Sequence, residues 1–427
     1  MDYQDCRRLL LQRVAEAPPT RIQLLAGPRQ VGKTTLLLDL TREAGAEALY
    51  VACDGPEAAF PGFWDGVWTR AEATARAHGR VIVLLDEVHV VGNWAARLKG
   101  EWDRLRRRRV PLHVVATGSS ALRLGRGSRE SLAGRFERLT LTHWSPASLA
   151  AAFSLSADNA VNVWVRRGAY PGAYPLLNDV GRWANYVRDA IIEPAIGRDL
   201  LALGPVRRPA LLRQVFGVCV ASPAQIVSLQ KLQGQLEERG ALETIAQYLH
   251  LLEEAFLVAA LPKHGRRAAR RRAAPPKLIA LNQALLAATH PDGIPAADRD
   301  PARFGAWIEN ACLSHAWNAE QRVAYWREEP LEVDGVLDGT WGRWAIEVTI
   351  GRVTSRELRG LGEFTRRFPD YRPLVICEPG EQGASERLGI AAMSWQDFLW
   401  QGPRRRPDPA RSADSVHLPR GTQPRTA

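Results

Sequence analysis

Lysine is scarce in this sequence of 427 residues, because only five of its 57 basic side chains are lysines and the others are arginines. Cysteine is scarce too, and the five cysteines lie far apart without forming a CxxC pair. This spacing argues against a cysteine zinc site and against a disulfide framework. We therefore expect the cysteines to be small buried side chains.

Long apolar runs are also missing. No uncharged apolar stretch reaches the roughly 18 residues that indicate a membrane-spanning helix. The amino-terminal stretch MDYQDCRRLL lacks the charged and then apolar order of a signal peptide. These absences predict a protein without a membrane partner and with a cytoplasmic location.

The overall composition is that of a folded protein, with 46% hydrophobic and 24% charged residues. The length exceeds what one compact core usually serves, so two or three domains are expected. A net charge of +11 is compatible with a polyanionic partner but identifies none.

One of the rare lysines stands in the phosphate-binding pattern GxxxxGKT, between an apolar strand-like run and a helix-like run. Glycines let the backbone N–H groups of such a loop face a phosphate, and a compact ammonium fits inside the loop where a planar guanidinium does not. We expect Lys33 to bind the β- and γ-phosphates of ATP and Thr34 to hold Mg²⁺. The expected ATP-binding residues are Gly27, Pro28, Arg29, Gln30, Val31, Gly32, Lys33, Thr34 and Thr35.

Two adjacent acids end the second strong strand pattern, VIVLLDEVHVV. Five apolar residues lead into Asp86 and Glu87, as expected of a buried parallel strand that delivers acids at its carboxyl end. We predict that Asp86 helps to hold Mg²⁺ and that Glu87 is the general base for the attacking water.

A third apolar run, LHVVATGSS, ends in the hydroxyl side chains of Thr117, Ser119 and Ser120. If this run lies beside the phosphate loop, one of the hydroxyls is suited to sense the γ-phosphate or to position the water. A polar cap on a following helix is an equally good interpretation of the same residues.

These stretches together resemble the AAA-type ATPase module of a large bacterial and archaeal group, in which a carboxyl-terminal region of uncharacterised function follows the module. The resemblance rests on AGPRQVGKTTLL, VIVLLDEVHVVGNWAARLKGEWD, VVATGSSALRL and ESLAGRFERLTL, and it continues to about Gly380. It implies ATP and Mg²⁺ as cofactors and a sheet whose catalytic acid has its own strand. In such ATPases an arginine, often from a neighbouring subunit, stabilises the transition state, and Arg135 and Arg129 are the candidates.

The middle of the chain has the pattern of a winged-helix segment. A helix is predicted to begin near Ser222, with Pro223 in its first turn, and a second helix after Gly240. Two strand-like runs, FLVAALP and PPKLIALN, follow and flank a basic loop. Two interpretations of this loop are equally good: its cations contact the phosphates of double-stranded DNA, or the loop is disordered and solvated. The cations are Lys263, Arg266, Arg267, Arg270, Arg271, Arg272 and Lys277.

In the last third of the chain, Glu309 lies in the helix pattern GAWIENACLSHAW, Asp334 in the strand pattern LEVDGVLD and Glu347 in the strand pattern RWAIEVTI. Asp338 and Gly339 are the predicted turn residues between the two strands. This arrangement resembles the PD-(D/E)xK nuclease fold, in which acids on a helix, a hairpin and a strand bind one or two Mg²⁺ ions, and the three acids match those positions. The lysine expected two residues after the last acid is replaced by Thr349, which has no charge for a developing phosphorane. A degenerate or structural nuclease-like domain is therefore favoured over an active one.

The predicted fold class is α/β, with a P-loop NTPase parallel sheet covered by helices on both faces, then a helical/winged-helix domain and a small α/β nuclease-like domain. The expected boundaries are 1–150 for the AAA-type ATPase, 151–210 for a helical linker, 211–290 for the winged-helix-like segment, 300–400 for the nuclease-like domain and 401–427 for a disordered basic tail.

The leading hypothesis for function is a Mg²⁺-dependent ATPase coupled to DNA binding. A homo-oligomer is compatible with this hypothesis, because the transition-state arginine often comes from a neighbour, but the sequence leaves the oligomeric state and the source of that arginine open. Two alternatives stay open. One is a nucleotide-gated scaffold for a protein partner, and the other is an ATP-controlled, metal-dependent nuclease.

Overall fold

A computed structural model describes residues 1–118, 131–201, 206–238, 240–265, 274–290, 293–355, 358–386 and 389–403. Several predicted residues therefore lie outside the described part of the chain. These are Ser119, Ser120, Arg129, the loop arginines at 266, 267, 270, 271 and 272, and the tail from 404 onward. No helix among the described residues combines the length and apolar character that crossing a bilayer requires.

The first sheet has five parallel strands in the order β2-β3-β4-β1-β5. Every residue of β1, β3 and β4 is buried, which explains why these strands are continuous apolar runs rather than alternating ones. The predicted parallel sheet is thereby confirmed. Its strands are β1 (Ile22–Ala26), β2 (Ala48–Ala52), β3 (Val81–Asp86), β4 (Leu112–Gly118) and β5 (Phe136–Thr140).

Helices cover both faces of this sheet, as predicted. Leu25 and Leu84 face a core that includes helices α1 and α2, whereas Leu24 and Leu85 face a second core that includes α3 and α4. The alternation follows from the two-residue repeat of a strand. The four helices are α1 (Tyr3–Val14), α2 (Lys33–Ala44), α3 (Phe63–His78) and α4 (Trp94–Arg107).

A helical region follows the sheet and ends in an unusual long helix. The helix begins at Val180, after the side chain of Asp179 accepts a hydrogen bond from the Arg182 N–H, and it continues to Leu200 with two π-helical stretches. Such stretches are often found at functional sites. The helices here are α5 (Pro146–Phe153), α6 (Ala157–Arg167) and α7 (Val180–Tyr186), and the π-helical stretches are Val187–Ile192 and Ala195–Leu200.

The next region has three strands and four helices among its described residues. The strands pair antiparallel in the order β6-β8-β7. The two predicted strand-like runs are confirmed as β7 and β8. In chain order the elements are α8 (Pro209–Ala221), β6 (Gln225–Ile226), α9 (Leu229–Gly234), α10 (Leu242–Glu254), β7 (Val258–Leu261), β8 (Lys277–Ala280) and α11 (Gln283–Thr289).

The helix predicted to begin near Ser222 is wrong. Ser222 instead lies just after the end of α8, and the Ala224 N–H donates to the Leu278 carbonyl oxygen (2.8 Å), which draws this segment into the sheet. The next helix, α9, begins later and is capped by Ser228. Pairing with a distant strand here overrides the local preference for a helix.

The last region contains a second five-stranded sheet, ordered β13-β12-β11-β10-β9, in which β9, β10 and β11 are antiparallel and the rest parallel. The predicted hairpin is present, but Asp338 and Gly339 pair with Arg343 and Gly342 and so belong to the strands. The elements are α12 (Pro301–Asn318), β9 (Arg322–Glu328), β10 (Leu331–Gly339), β11 (Gly342–Val348), α13 (Arg359–Arg367), β12 (Arg372–Cys377), α14 (Gln382–Glu386), β13 (Ala391–Ser394) and α15 (Trp395–Gln401).

The regions meet at a buried polar network around His143. Its Nε2–H donates to the Phe256 carbonyl oxygen (2.9 Å), and its Nδ1 accepts from the Asn282 side-chain amide (3.0 Å). The Asn282 oxygen in turn accepts the Ala169 N–H (3.1 Å), and the Asn318 side chain accepts the His143 N–H (3.3 Å). The His143 imidazole thus connects the segment after β5 to the middle region, and Asn282 extends the network to the helical region. The His143 backbone N–H connects the same segment to α12 of the last region.

All five cysteines are buried thiols, as predicted.

The buried His143 imidazole predicts a loss of stability in acid. Burial lowers the pKa of His143 to about 4, whereas an unfolded histidine titrates near pH 6.5. As the pH falls below about 6.5, this histidine therefore takes up a proton in the unfolded chain before it does so in the folded protein. The free energy of unfolding decreases as a result, by at most about 3 kcal/mol by the time the pH reaches about 4. Urea unfolding followed by tryptophan fluorescence should show a shallower decline for His143→Gln than for the wild type.

The exposed residue His78 supplies the matched control, because His78→Gln should keep the wild-type pH dependence. An unchanged slope in His143→Gln would show that the imidazole does not carry this acid sensitivity.

Candidate functional site

The loop between β1 and α2 is shaped by two glycines. A Cβ on Gly27 would lie 2.1 Å from the Leu141 carbonyl oxygen, so no larger residue fits there. Gly32 has φ +92°, in the left-handed region that favours glycine. The Trp144 indole N–H donates to the Val31 carbonyl oxygen (2.9 Å) and holds the loop from outside. The loop is therefore a preformed backbone cradle at the amino end of α2.

Lys33 closes this cradle from within. Its ammonium donates to the carbonyl oxygens of Gly27 (3.1 Å) and Pro28 (2.6 Å), and its side chain is buried. Burial lowers the pKa of Lys33, and the charges of Glu87 and Asp86 act in the opposite direction. A cation in this position is suited to bind a phosphate that enters the loop. Thr34 and Thr35 follow it on the first turn of α2.

The two predicted acids lie beside this loop because β4 separates β1 from β3 and all three strands end at the same edge. Asp86 is buried, with one carboxylate oxygen accepting from the Thr117 hydroxyl and the other from the Tyr50 hydroxyl (3.0 Å). The Thr117 hydroxyl oxygen also accepts the Glu87 N–H (3.0 Å). Thr117, a predicted sensor, therefore holds both acids in place.

Glu87 has the surroundings of a base. Its backbone is left-handed (φ 50°), and a carboxylate oxygen lies 3.2 Å from His89 Nδ1. Burial raises the pKa of Glu87, although the nearby Lys33 ammonium lowers it. A carboxylate with a raised pKa accepts a proton from water more readily than an exposed one.

The sequence patterns missed one acid at this site. Asp199, buried in the second π-helical stretch, accepts hydrogen bonds from the Arg29 Nε and Nη2 atoms of the loop, the latter at 2.9 Å. This hydrogen bond raises the pKa of Arg29. The run AIGRDL gave no motif that would mark the acid, since its partner lies 170 residues away.

The same region contacts the loop a second time. The Tyr186 hydroxyl donates to the Gln30 side-chain oxygen (3.4 Å). Gly172 passes so close that a Cβ there would lie 2.6 Å from the Tyr186 hydroxyl. The helix that contains Tyr186 and Asp199 therefore lies against the phosphate loop.

Arg135, one of two predicted transition-state arginines, lies away from the loop of its own chain. It precedes β5 and makes a bidentate ion pair with Asp103 (2.8 and 3.0 Å) at the amino edge of the sheet. A strand of five residues spans about 16 Å, which separates this edge from the loop. Arg129 lies outside the described residues.

A second acid group lies in the last region, where the three predicted nuclease-like residues come together. Glu309 is on α12, Asp334 on β10 and Glu347 on β11. The cation among them is Lys277 of β8, whose ammonium lies 2.6 Å from Glu309 Oε1 and 3.2 Å from Asp334 Oδ1. The expectation that Lys277 belongs to a solvent-facing basic loop is therefore wrong.

Sequence comparisons agree with the first part of this picture. Residues 19–149 match a family model described as an AAA domain, and residues 159–295 match a domain of unknown function, DUF8612. Two uncharacterised proteins, Mb2031c of Mycobacterium bovis and Rv2008c of Mycobacterium tuberculosis, are each 28% identical over 356 residues, which cover 82% of this chain and 74% of theirs. Residues 19–149 are thus an AAA domain, as the resemblance implied.

Two solved structures are similar at low scores. The RuvB Holliday junction branch migration motor of Thermotoga maritima has a TM-score of 0.35 and 19% identity, covering 61% of this chain and 90% of its own. The ORC2 protein of Aeropyrum pernix has a TM-score of 0.39 and 13% identity, covering 72% and 92%. Because both TM-scores lie below 0.5, neither similarity bears on what this chain binds.

The Arg29–Asp199 ion pair predicts a change in nucleotide affinity. Asp199→Asn removes a negative charge near the loop and weakens the hold on Arg29, so more positive charge faces a bound triphosphate. Titration with a fluorescent ATP analogue should give a Kd that is lower by roughly tenfold, about the free energy of one charged hydrogen bond.

Asp189, an exposed acid of the same helix, supplies the control, since Asp189→Asn should leave the Kd unchanged. Equal or weaker binding in Asp199→Asn would mean that the ion pair does not compete with the nucleotide.

Proposed function

We propose that this protein binds ATP with Mg²⁺ and hydrolyses it at the loop between β1 and α2. The observation that carries the proposal is the meeting of Lys33, Asp86, Glu87 and Thr117 at one edge of the sheet. A glycine cradle, a buried ammonium and two adjacent acids are the groups that phosphoryl transfer to water requires.

The residues fit a triphosphate and a divalent cation. Backbone N–H groups of residues 29–34 and the Lys33 ammonium bind the phosphates, and Lys33 exchanges its carbonyl partners for phosphate oxygens. Thr34 and Asp86 would hold Mg²⁺ through oxygen, the donor type that this ion prefers. When bound, Mg²⁺ neutralises charge that develops on the phosphate oxygens.

Glu87 is proposed as the general base. It accepts a proton from the attacking water, the water oxygen bonds to the γ-phosphorus, and the bond to the bridging oxygen breaks to release ADP and phosphate. Thr117 is a positioning residue, because its hydroxyl connects Asp86 to the Glu87 backbone.

Two substitutions separate binding from hydrolysis. Glu87→Gln should keep ATP affinity within a few-fold of the wild type while lowering the hydrolysis rate by roughly 10² to 10⁴. Lys33→Ala should weaken ATP binding itself, because the loop loses its cation. Phosphate release and equilibrium ATP binding measure the two effects, and Asp189→Asn is again the control.

A wild-type protein that binds ATP but releases no phosphate would contradict hydrolysis and favour the nucleotide-gated scaffold. A Glu87→Gln variant with the wild-type rate would exclude Glu87 as the base.

We also propose a winged-helix domain that binds double-stranded DNA. Supporting observations are the order of elements from α8 to β8, which is helix, strand, two helices and two strands, and the net charge of +11. The connection between β7 and β8 contains the five arginines from 266 to 272, which suit contacts to several phosphates. A homo-oligomer is proposed because Arg135 does not reach the loop of its own chain.

Salt dependence tests the DNA contact. The logarithm of the DNA-binding constant falls linearly with the logarithm of the salt concentration, and each phosphate that a basic side chain neutralises adds about 0.9 to the slope. Replacing Arg266, Arg267, Arg270, Arg271 and Arg272 by glutamine should therefore reduce the slope of log K against log salt by as much as about 4.5. Substitution of Arg106, Arg107 and Arg108 near the end of α4 is the control, and an equal effect there would show that DNA binding is not specific to the connection.

A further inference from the structure

The nuclease-like acids surround an ammonium rather than an open space. Lys277 Nζ lies 2.6 Å from Glu309 Oε1, 3.2 Å from Glu332 Oε1 and 3.2 Å from Asp334 Oδ1, and 3.4 Å from the Asp334 carbonyl oxygen. Four oxygens thus share three N–H donors. The other Asp334 carboxylate oxygen accepts the Val348 N–H (2.9 Å). Both oxygens of the central aspartate therefore accept a hydrogen bond from within the protein.

The ammonium is held there by the backbone on either side. Lys277 is on β8, the middle strand of its sheet, where it pairs with Ile226 and Leu261. The Asn310 side chain, next to Glu309, accepts the Ala280 N–H (2.8 Å) and donates to the Ala280 carbonyl oxygen (3.0 Å). These contacts hold the backbone of β8 against α12 and keep Lys277 beside the acids.

Glu347 on β11 completes the group of acids. It precedes Val348, whose N–H donates to Asp334, and its Oε2 atom is buried without a hydrogen-bond partner among the described residues. The direct contacts of the ammonium are with Glu309, Glu332 and Asp334.

The residues present do not fit a divalent cation. Within the described residues no three acids, histidines or cysteines are arranged to hold a metal ion. The Lys277 side chain is 1% exposed and occupies the space between Glu309 and Asp334. A compact ammonium also explains why this arginine-rich chain has a lysine here, because a planar guanidinium requires more room.

We propose that the Lys277 ammonium is the resident cation of the acid cluster formed by Glu309, Glu332, Asp334 and Glu347, in the position where a divalent metal would otherwise bind. The cluster fastens the sheet of β6, β7 and β8 to the last region and does not cleave phosphodiesters. The position of Thr349 then requires no lysine, because Lys277 of another region supplies the positive charge of the cluster.

The test is Mn²⁺ binding to the nucleotide-free, full-length protein, measured from the paramagnetic resonance signal of free Mn²⁺. The wild type and Asp334→Asn should bind the same amount of Mn²⁺, because the acid cluster of the wild type holds none. Lys277→Met, which empties the position, should bind Mn²⁺ at least roughly tenfold more tightly than the wild type. That gain should vanish in Lys277→Met/Asp334→Asn and be absent in Lys231→Met, an exposed control.

Two results would overturn the proposal. One is a wild type that binds one Mn²⁺ per chain and loses it in Asp334→Asn, which would place a metal beside the lysine. The other is a folded Lys277→Met that gains no site. Thermal unfolding checks folding, and if Lys277→Met does not fold, the comparison of the wild type with Asp334→Asn alone decides between resident ammonium and metal.

Discussion

The parallel pairing of β4 between β1 and β3 is the constraint on which the candidate site depends. It brings the carboxyl ends of three strands to one edge, so that the phosphate loop, the acid pair and Thr117 lie together. Thr117 then makes the arrangement specific, because one hydroxyl contacts the Asp86 carboxylate and the Glu87 backbone. A shift of β4 by one residue would turn that hydroxyl to the other face of the sheet.

The two buried lysines show how surroundings decide what an ammonium does. Lys33 is bound to carbonyl oxygens, and burial lowers its pKa. Burial acts in the same direction on Lys277, but the charges of Glu309, Asp334 and Glu332 outweigh it and raise that pKa. Lys33 can exchange neutral partners for an incoming phosphate, whereas Lys277 would have to give up charged ones. The first is suited to bind a ligand and the second to hold two regions together.

The contact between Arg29 and Asp199 joins the candidate site to the helix that begins at Val180. Asp199 lies near the carboxyl end of this helix, so a change of partner at Arg29 would act directly on it. The His143 network joins the first region to the middle region through Phe256 and Asn282.

Local patterns in the sequence determined the parallel sheet, the loop and the acid pair, because each depends on short apolar runs and on glycines, lysine and acids at fixed spacing. They also determined that Glu309, Asp334 and Glu347 lie on a helix and a hairpin. They misplaced the helix near Ser222, since pairing of Ala224 with Leu278 outweighs helix propensity there. Only the tertiary structure decided that Asp199 meets Arg29 and that Lys277 fills the acid cluster, because both contacts join residues far apart in sequence whose partners no local spacing can identify.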